Sequence, residues 1–475
     1  MTKSLDLSYE AVMARKGEIM RKAIGIDYDA FEFGKLGFDY EGMMGSVAYS
    51  LEETRRIQRA TGVGNTPLLE LRNLTALARR VAPAGKGARI FVKDEAANPS
   101  GSFKARRAAL SVHEAKERGY AGVIAATSGN YGAAVASQAA MRGIPCLIVQ
   151  EVFDSRGQGQ PEIIEKSRVC EAYGAEVLQL SVGPELFYVF LQLLEETNFF
   201  NASLYTPFGI AGVETLGFEL VEQIRQLTGQ DPDAVVITHA GGGNVTGTAR
   251  GVQKADCSAQ IIGASIDLKG LHMASDQDFN RKSFTTGHTG FGLPFAVWPD
   301  RSDVPRNAAR PLRYLDRYVT VTQGEAFYIT EALAQLEGLE RGPAGNTSLA
   351  AAFALAQEMR EDQVIVVQET EYTGAGKHPQ AQLTFARKNG IEVRRGDPSE
   401  SLPGKSIVIP AHPAQIRVKD LDLDHIRLSY LKNVAGKMSF ENLSEQDKEY
   451  LSAETRWSQP QIEKALGSLS LEKEG

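Results

Sequence analysis

The chain has 475 residues, of which 43% are hydrophobic and 23% are charged, and its formal net charge is −7. This is the composition of an ordinary globular protein that is long enough for two or three domains. It argues against a nucleic-acid or basic membrane-docking surface, because both need clustered Lys and Arg.

The absence of a predicted membrane span or secretory signal and the spacing of the cysteines favour a reducing compartment. No apolar run approaches the ~20 residues that span a bilayer, and the N-terminal sequence lacks the apolar stretch of a secretory signal. The three cysteines, Cys146, Cys170 and Cys257, lie far apart and form no C-x-x-C unit, so we expect buried, reduced thiols. We therefore expect a cytoplasmic protein without a membrane or nucleic-acid partner.

The predicted elements fall into three regions. We expect a mostly helical extension over residues 1–60, a catalytic region over 61–380, and a second extension of short strands and a charged helical tail over 381–475. Within the central region, strands are predicted, in chain order, from RIFVKDE, GVIAATS, PCLIVQE, AEVLQL, DAVVITHA, QIIGASID and QVIVVQE. Helices between them are predicted from FKARRAALSVHEAKERG, NYGAAVASQAAMRG, PEIIEKSRVCEAYG and VETLGFELVEQIRQL. These continuous apolar runs predict strands that are buried on both faces of a parallel sheet. Their alternation with helices predicts an open α/β fold, which binds ligands at the carboxyl ends of its strands.

The first motif, NPSGSFKARR, follows RIFVKDE and places Lys104 in the first turn of a helix. We expect Ser100 or Ser102 to cap that helix. The positive helix end and partial burial would favour the neutral amine, as a lysine that forms a Schiff base requires. An exposed lysine is the alternative.

The second motif, AATSGNYGAAVA, also begins at a strand end. Thr127, Ser128, Gly129 and Asn130 offer backbone N–H groups and short side chains at the N-terminus of a helix. Such a site binds a carboxylate, here that of a substrate. Ordinary helix capping explains the same residues equally well.

The third motif, HAGGGNVTGTARG, follows DAVVITHA. Its residues Gly241, Gly242 and Gly243 allow the backbone to approach an anion closely at the start of a helix. The motif has neither the G-x-G-x-x-G spacing of a dinucleotide site nor the G-K-[ST] ending of a triphosphate loop, so a monophosphate fits best.

The fourth motif, QVIVVQETEYTGAGKHP, ends a strand near Glu369 and continues with hydroxyls and glycines at Thr370, Thr373 and Gly374. Taken alone it is an ordinary turn.

The order of these motifs resembles that of the fold type II pyridoxal-phosphate (PLP) enzymes, the group that includes threonine synthase, cysteine synthase and the tryptophan synthase β chain. The resemblance covers residues 61–380 and extends to the segments GNTPLLEL, YGAEV and GPAGNTSLAAAFAL. It implies two open, twisted α/β subdomains with the cofactor in the cleft between them, the smaller one over roughly residues 98–205.

The same resemblance implies roles for individual residues. Lys104 would be the catalytic residue and hold PLP as a Schiff base, and Asn130 would contact the ring hydroxyl. Because TGAGK resembles the family's T-G-x-G segment, Thr373 would face the pyridine nitrogen, with Thr370 and Glu369 as alternatives. No metal is implied. The phosphate would be bound by Gly241, Gly242, Gly243, Asn244 and Val245.

The two extensions and the NPSGSFKARRAA segment, with Ala105 where threonine synthase-like chains commonly carry Asp, resemble the β subunits of 2-amino-4-oxopentanoate thiolases. That resemblance implies thiolysis of this amino acid by coenzyme A in ornithine degradation, giving acetyl-CoA and alanine. It also implies a small α subunit as partner and a homodimer of this chain within a hetero-oligomer.

Two alternatives to the thiolase stay open. One is a threonine synthase-like replacement or elimination lyase that acts on a phosphorylated amino acid, and the other is a regulatory subunit without activity. Apolar stretches in the C-terminal extension, SIVIPAHPAQI and LSYLKNV, are candidates for an interface with a second chain or for packing onto the core.

Other polar residues are weaker candidates. The seven histidines show no metal-ligand spacing, and His239, beside the glycine motif, is expected in the core. Asp154, Arg156 and Gln160 lie beyond a strand end, where they could reach a substrate or form an exposed loop.

Overall fold

A computed structural model of the chain describes residues 6–127, 129–153, 157–159, 161–181, 185–268, 304, 306–372, 379–435 and 443–474. The helices are α1 (Tyr9–Ala14), α2 (Lys16–Ile24), α3 (Tyr40–Gly45), α4 (Leu51–Arg59), α5 (Arg72–Val81), α6 (Lys104–Glu117), α7 (Asn130–Arg142), α8 (Pro161–Ala172), α9 (Glu185–Thr197), α10 (Pro207–Thr228), α11 (Gly243–Lys254), α12 (Gln323–Glu337), α13 (Asn346–Ala356), α14 (Pro379–Lys388), α15 (Leu423–Ala435), α16 (Glu445–Thr455) and α17 (Gln459–Glu474). The strands are β1 (Glu32–Phe33), β2 (Gly37–Phe38), β3 (Leu68–Glu70), β4 (Arg89–Asp94), β5 (Val123–Thr127), β6 (Cys146–Phe153), β7 (Glu176–Ser181), β8 (Phe200–Asn201), β9 (Ala234–Thr238), β10 (Gln260–Ile266), β11 (Arg317–Val321), β12 (Val364–Glu369), β13 (Glu392–Gly396), β14 (Ser406–Pro410) and β15 (Lys419–Asp420).

The larger sheet has the strand order β15-β11-β10-β9-β12-β4-β3. Strands β11, β10, β9, β12 and β4 are mutually parallel, and the antiparallel strands β15 and β3 close the two edges. Every residue of β9 and β12 is buried. The prediction that continuous apolar runs form buried parallel strands is therefore confirmed for this sheet.

The smaller sheet has the order β7-β6-β5-β8, and all of its pairs are parallel. Strand β7 lies at the edge and is largely exposed; the side chain of Leu178 keeps 40% of its surface accessible. The expectation that AEVLQL is buried on both faces is wrong, because only Val177 and Leu180 of this edge strand are partly buried and its other residues are exposed.

Helix α10 packs against both α6 and α11, and small residues permit the close approach. A Cβ atom on Gly217 would lie 1.9 Å from the carbonyl oxygen of Thr248, and one on Gly212 would lie 2.3 Å from that of Arg106. The backbones of the three helices therefore nearly touch. This packing holds the N-termini of α6 and α11, which carry the first and third motifs, in one region of the fold.

Four buried charged residues fasten α6 to the larger sheet, and we call them the anchor cluster: Lys93, Glu95, Arg106 and Glu219. Arg106 Nε lies 2.7 Å from Glu95 Oε2, and its Nη2 lies 3.0 Å from Glu219 Oε1. Lys93 Nζ lies 2.5 Å from the same Glu219 oxygen. Burial opposes ionisation of Glu219, but Arg106 and Lys93 outweigh it and hold the pKa of this carboxyl well below its usual value.

The two extensions pack against each other and against the core. The carboxylate of Asp447 in α16 accepts hydrogen bonds from the backbone N–H groups of residues 35–37. In the stretches that we considered as an interface, Ile407 and Val408 of β14 and Leu431 of α15 are buried inside this chain. Packing onto the core, the alternative explanation, accounts for these residues. None of the helices in the described ranges combines the length and the apolar character that crossing a bilayer requires.

Candidate active site

Lys104 is the first residue of α6, and the chain before it pairs with the chain after β12. The N–H of Phe103 donates to the carbonyl oxygen of Thr370 at 3.0 Å, and that of Tyr372 donates to Gly101 at 2.8 Å. Phe103 occupies the N-cap position without a side-chain hydrogen bond, so the predicted serine cap is wrong. Backbone pairing to the end of β12 orients this helix start instead, and it joins the first motif to the fourth.

Glu371 lies between two residues that the sequence predicted as cofactor ligands. Its Oε2 is 3.7 Å from Lys104 Nζ and accepts a hydrogen bond from Asn130 Nδ2. The side chain of Lys104 is 26% exposed, whereas that of Glu371 is buried. The sequence analysis missed Glu371; the available signal was its position two residues beyond the end of a buried strand.

Glu369 ends β12 and is completely buried. Neither of its carboxylate oxygens has a hydrogen-bond partner among the described residues. Burial, reinforced by the nearby Asp94 and Glu371, raises the pKa of Glu369 well above its usual value. We call Lys104, Asn130, Glu369 and Glu371 the site cluster.

The second motif begins at the end of β5. The Thr127 hydroxyl oxygen accepts hydrogen bonds from the N–H groups of Gly129, at 3.1 Å, and Gly132, at 3.3 Å. The N-cap residue of α7 is Gly129, and the Thr127 hydroxyl accepts hydrogen bonds from backbone N–H groups at this helix start. Ordinary helix capping, the alternative to a carboxylate site, therefore describes the role of Thr127 in this structure. Asn130 Oδ1 is buried and has no hydrogen-bond partner among the described residues, whereas Ser128 lies outside them.

The glycine motif forms a tight turn into α11. Gly242 is the N-cap residue and has a φ of 82°, a conformation that favours glycine. A Cβ atom on Gly241 would lie 1.6 Å from the hydroxyl oxygen of Tyr205, so no side chain fits there. Val245 belongs to the apolar core and can offer only its backbone to a ligand, while Asn244 Oδ1 is buried without a partner among the described residues.

The remaining candidates divide into core residues and undescribed ones. Burial lowers the pKa of His239 to about 4, and its Nδ1 is hydrogen-bonded to the hydroxyl of Tyr318 at 2.9 Å, so it is the core histidine we expected. Cys146, Cys170 and Cys257 are buried free thiols, as predicted, and burial raises the pKa of each. Thr373 and Gly374 of the fourth motif, and the loop candidates Asp154, Arg156 and Gln160, lie outside the described residues.

Comparison with known proteins decides the family. The profile of the pyridoxal-phosphate dependent enzymes matches residues 59–371, which include the first three motifs whole and the start of the fourth. The chain belongs to the pyridoxal-phosphate dependent enzymes. PLP fits the residues at this site, because a lysine amine, two buried amide oxygens without partners among the described residues and a glycine-bounded helix start suit an aldehyde, polar ring groups and a phosphate.

Two relatives of this PLP-dependent enzyme match it over nearly its whole length. A 2-amino-4-ketopentanoate thiolase β subunit from an unidentified prokaryote is 69% identical over 452 residues, which cover 95% of this chain and 96% of the relative. A protein of the same name from Acetoanaerobium sticklandii is 66% identical over 453 residues, which cover 95% and 97%.

Among solved structures, a threonine deaminase from T.th. matches this PLP-dependent enzyme with a TM-score of 0.52 and 26% identity. The match covers 69% of this chain and 99% of the deaminase. The residues outside the match therefore extend a region that corresponds to a whole enzyme in this relative.

Proposed function

We propose that this chain is the catalytic β subunit of a thiolase that cleaves 2-amino-4-oxopentanoate with coenzyme A. The carbonyl carbon C4 would gain a bond to the thiol sulfur, the C3–C4 bond would break, and C3 would receive the proton. The products are acetyl-CoA and alanine, as expected for ornithine degradation. One observation carries this proposal: identity of 66–69% to thiolase β subunits extends over 95% of the chain, well beyond the catalytic region.

The proposed site follows the four motifs. Lys104 is the catalytic residue, and its position beside Asn130 and Glu371 supports that role. Thr127, Ser128 and Gly129 would bind the substrate carboxylate at the N-terminus of α7. The cofactor ligands would be Lys104, Asn130, Gly241, Gly242, Gly243, Asn244, Val245 and Thr373.

The chain's own residues can move the protons that this reaction needs. When bound, PLP supplies an electron-withdrawing ring that stabilises negative charge on the substrate carbons near the amino group. Lys104 Nζ can remove a proton from Cα of the substrate and return it in the product. Glu371 Oε2 lies 3.7 Å from this Nζ and helps to hold the amine in place. The buried cysteines are poor nucleophiles at neutral pH, so coenzyme A supplies the attacking thiolate.

A partner chain and a domain division complete the proposal. The relatives are named as β subunits, so they are components of a multi-subunit enzyme. We propose that this chain forms a homodimer and binds a small α subunit, which completes the coenzyme A site or closes the cleft. The catalytic region would span residues 61–380, between extensions over 1–60 and 381–475. Buried free thiols agree with a cytoplasmic location.

The test is an assay of acetyl-CoA formation from 2-amino-4-oxopentanoate and coenzyme A, with this chain alone and with the α subunit. Full activity is expected only from the pair. Full activity of the chain alone would remove the partner from the proposal. Turnover of a phosphorylated amino acid without acetyl-CoA would identify a lyase, and PLP binding without any turnover would identify a regulatory subunit.

A further inference from the structure

Arg107 lies one helical turn after Lys104 on α6 and is a buried cation without a carboxylate partner among the described residues. Its exposed fraction is 3%, and its Nη1 donates to the carbonyl oxygen of Leu204 at 2.9 Å. Among the described residues, its Nε is buried without a hydrogen-bond partner, and no Asp or Glu pairs with its guanidinium. A buried charge is costly unless an opposite charge accompanies it.

The neighbouring residue shows what a satisfied buried arginine looks like in this protein. Arg106 is equally buried and pairs with both Glu95 and Glu219. Burial opposes the charge on both arginines, yet the pKa of Arg106 is raised because its carboxylates outweigh burial, whereas that of Arg107 is lowered. An anion supplied from outside the protein would give Arg107 what Glu95 and Glu219 give Arg106.

The guanidinium of Arg107 is directed at the start of α11. A Cβ atom on Gly243, the first residue of that helix, would lie 2.8 Å from Arg107 Nη2. The first N–H groups of a helix have no partner within it, and the helix dipole adds positive charge at the same end. A helix of 12 residues and a buried guanidinium therefore offer hydrogen bonds and positive charge to the same space.

We propose that Arg107 binds the phosphate group of PLP and supplies its counter-charge, together with the backbone N–H groups at the start of α11. This assignment rests on the proposed function, because it requires that PLP binds beside Lys104. It adds a charged side chain to a phosphate site that the sequence predicted from backbone groups alone. The bound phosphate should then remain a dianion throughout the neutral pH range.

Binding of two ligands to the apoprotein separates the phosphate from the ring. Equilibrium dialysis should be done with PLP and with pyridoxal, which lacks the phosphate. Arg107→Gln should weaken PLP binding ~10- to 100-fold, the loss of a charge-assisted pair, and change pyridoxal binding less than about 2-fold. Lys116→Gln is the control, since it removes a positive charge from the exposed end of the same helix and should leave both affinities unchanged.

Each outcome has a defined meaning. An equal loss of affinity for both ligands, or an unchanged affinity for PLP, would overturn the role of Arg107. Failure of the unmutated protein to bind PLP at all would instead overturn the proposed function. If Arg107→Gln does not fold, phosphorus NMR of the unmutated holoprotein decides: the shift should stay constant between about pH 6 and 8, and a titration near pH ~6, the value of a free phosphate monoester, would contradict the assignment.

Discussion

The anchor cluster and the site cluster both lie between helix N-termini or turns and the larger sheet, and they differ in how completely their buried polar groups are paired. In the anchor cluster, oppositely charged atoms lie within 3.0 Å of each other. In the site cluster, both carboxylate oxygens of Glu369 and the amide oxygen of Asn130 are buried without a hydrogen-bond donor among the described residues. Complete pairing offsets the cost of burying the charges of the anchor cluster, whereas incomplete pairing at a strand end leaves polar groups that a ligand can satisfy.

The largest difference is expected between the two lysines, Lys93 in the anchor cluster and Lys104 in the site cluster. Borohydride reduction of the holoprotein should attach the cofactor to the peptide that contains Lys104, because Lys93 Nζ is enclosed by Glu219, Gln223 and Thr66. Lys104→Ala should retain the fold and lose turnover by ~10³-fold or more. Peptide mass spectrometry locates the label, and a label on another lysine would refute the site assignment.

The free energy of unfolding, unlike turnover, should depend strongly on the anchor cluster. Arg106→Met leaves Glu95 and Glu219 buried without their main partner, so the free energy of unfolding should fall by about 3–5 kcal/mol. Arg59→Met removes an exposed pair with Glu52 and should change it by less than about 1 kcal/mol. Urea unfolding of the two variants measures the difference. Similar values for both would show that the anchor cluster contributes no more than a surface ion pair.

The sequence predicts the buried strands well and the short or alternating strands poorly. Seven strands were found from continuous apolar runs, and each forms at the predicted place, because burial on both faces leaves an unmistakable pattern in most of them. The strands β3 and β8, of three and two residues, were missed because so short a segment carries no periodicity. Strand β11 was also missed, since its sequence RYVTV alternates rather than running apolar throughout.

Side-chain partners were harder to predict than strands. Arg106 and Arg107 are adjacent in KARR and look alike in sequence, yet one meets two carboxylates and the other meets the start of α11. Glu371 belongs to the fourth motif, which taken alone is an ordinary turn, yet it is buried and forms a β-bridge with Ser102. Both facts depend on contacts between distant segments, which local patterns do not encode.

The smallest expected effect is a difference in how Glu219 and Glu369 make the folding stability depend on pH. The pKa of Glu219 is below its ordinary value of 4.5, so its stabilising contribution is present above about pH 4.5 and is lost as the pH falls further. The pKa of Glu369 is above 4.5, so the unfolded chain releases its proton first and stability falls as the pH rises above that value. Glu369→Gln removes the second effect only.

For the apoprotein, Glu369→Gln should therefore match the unmutated protein at pH 4 and be more stable at pH 7.5, by about 1–3 kcal/mol, the cost of an unsatisfied buried group. The acid limb of the stability profile should be unchanged, because Glu219 is intact. Thermal unfolding midpoints at the two pH values measure both limbs. A gain of equal size at pH 4 and pH 7.5 would show that the effect comes from packing, and the contrast between paired and unpaired buried carboxylates would then not extend to Glu369.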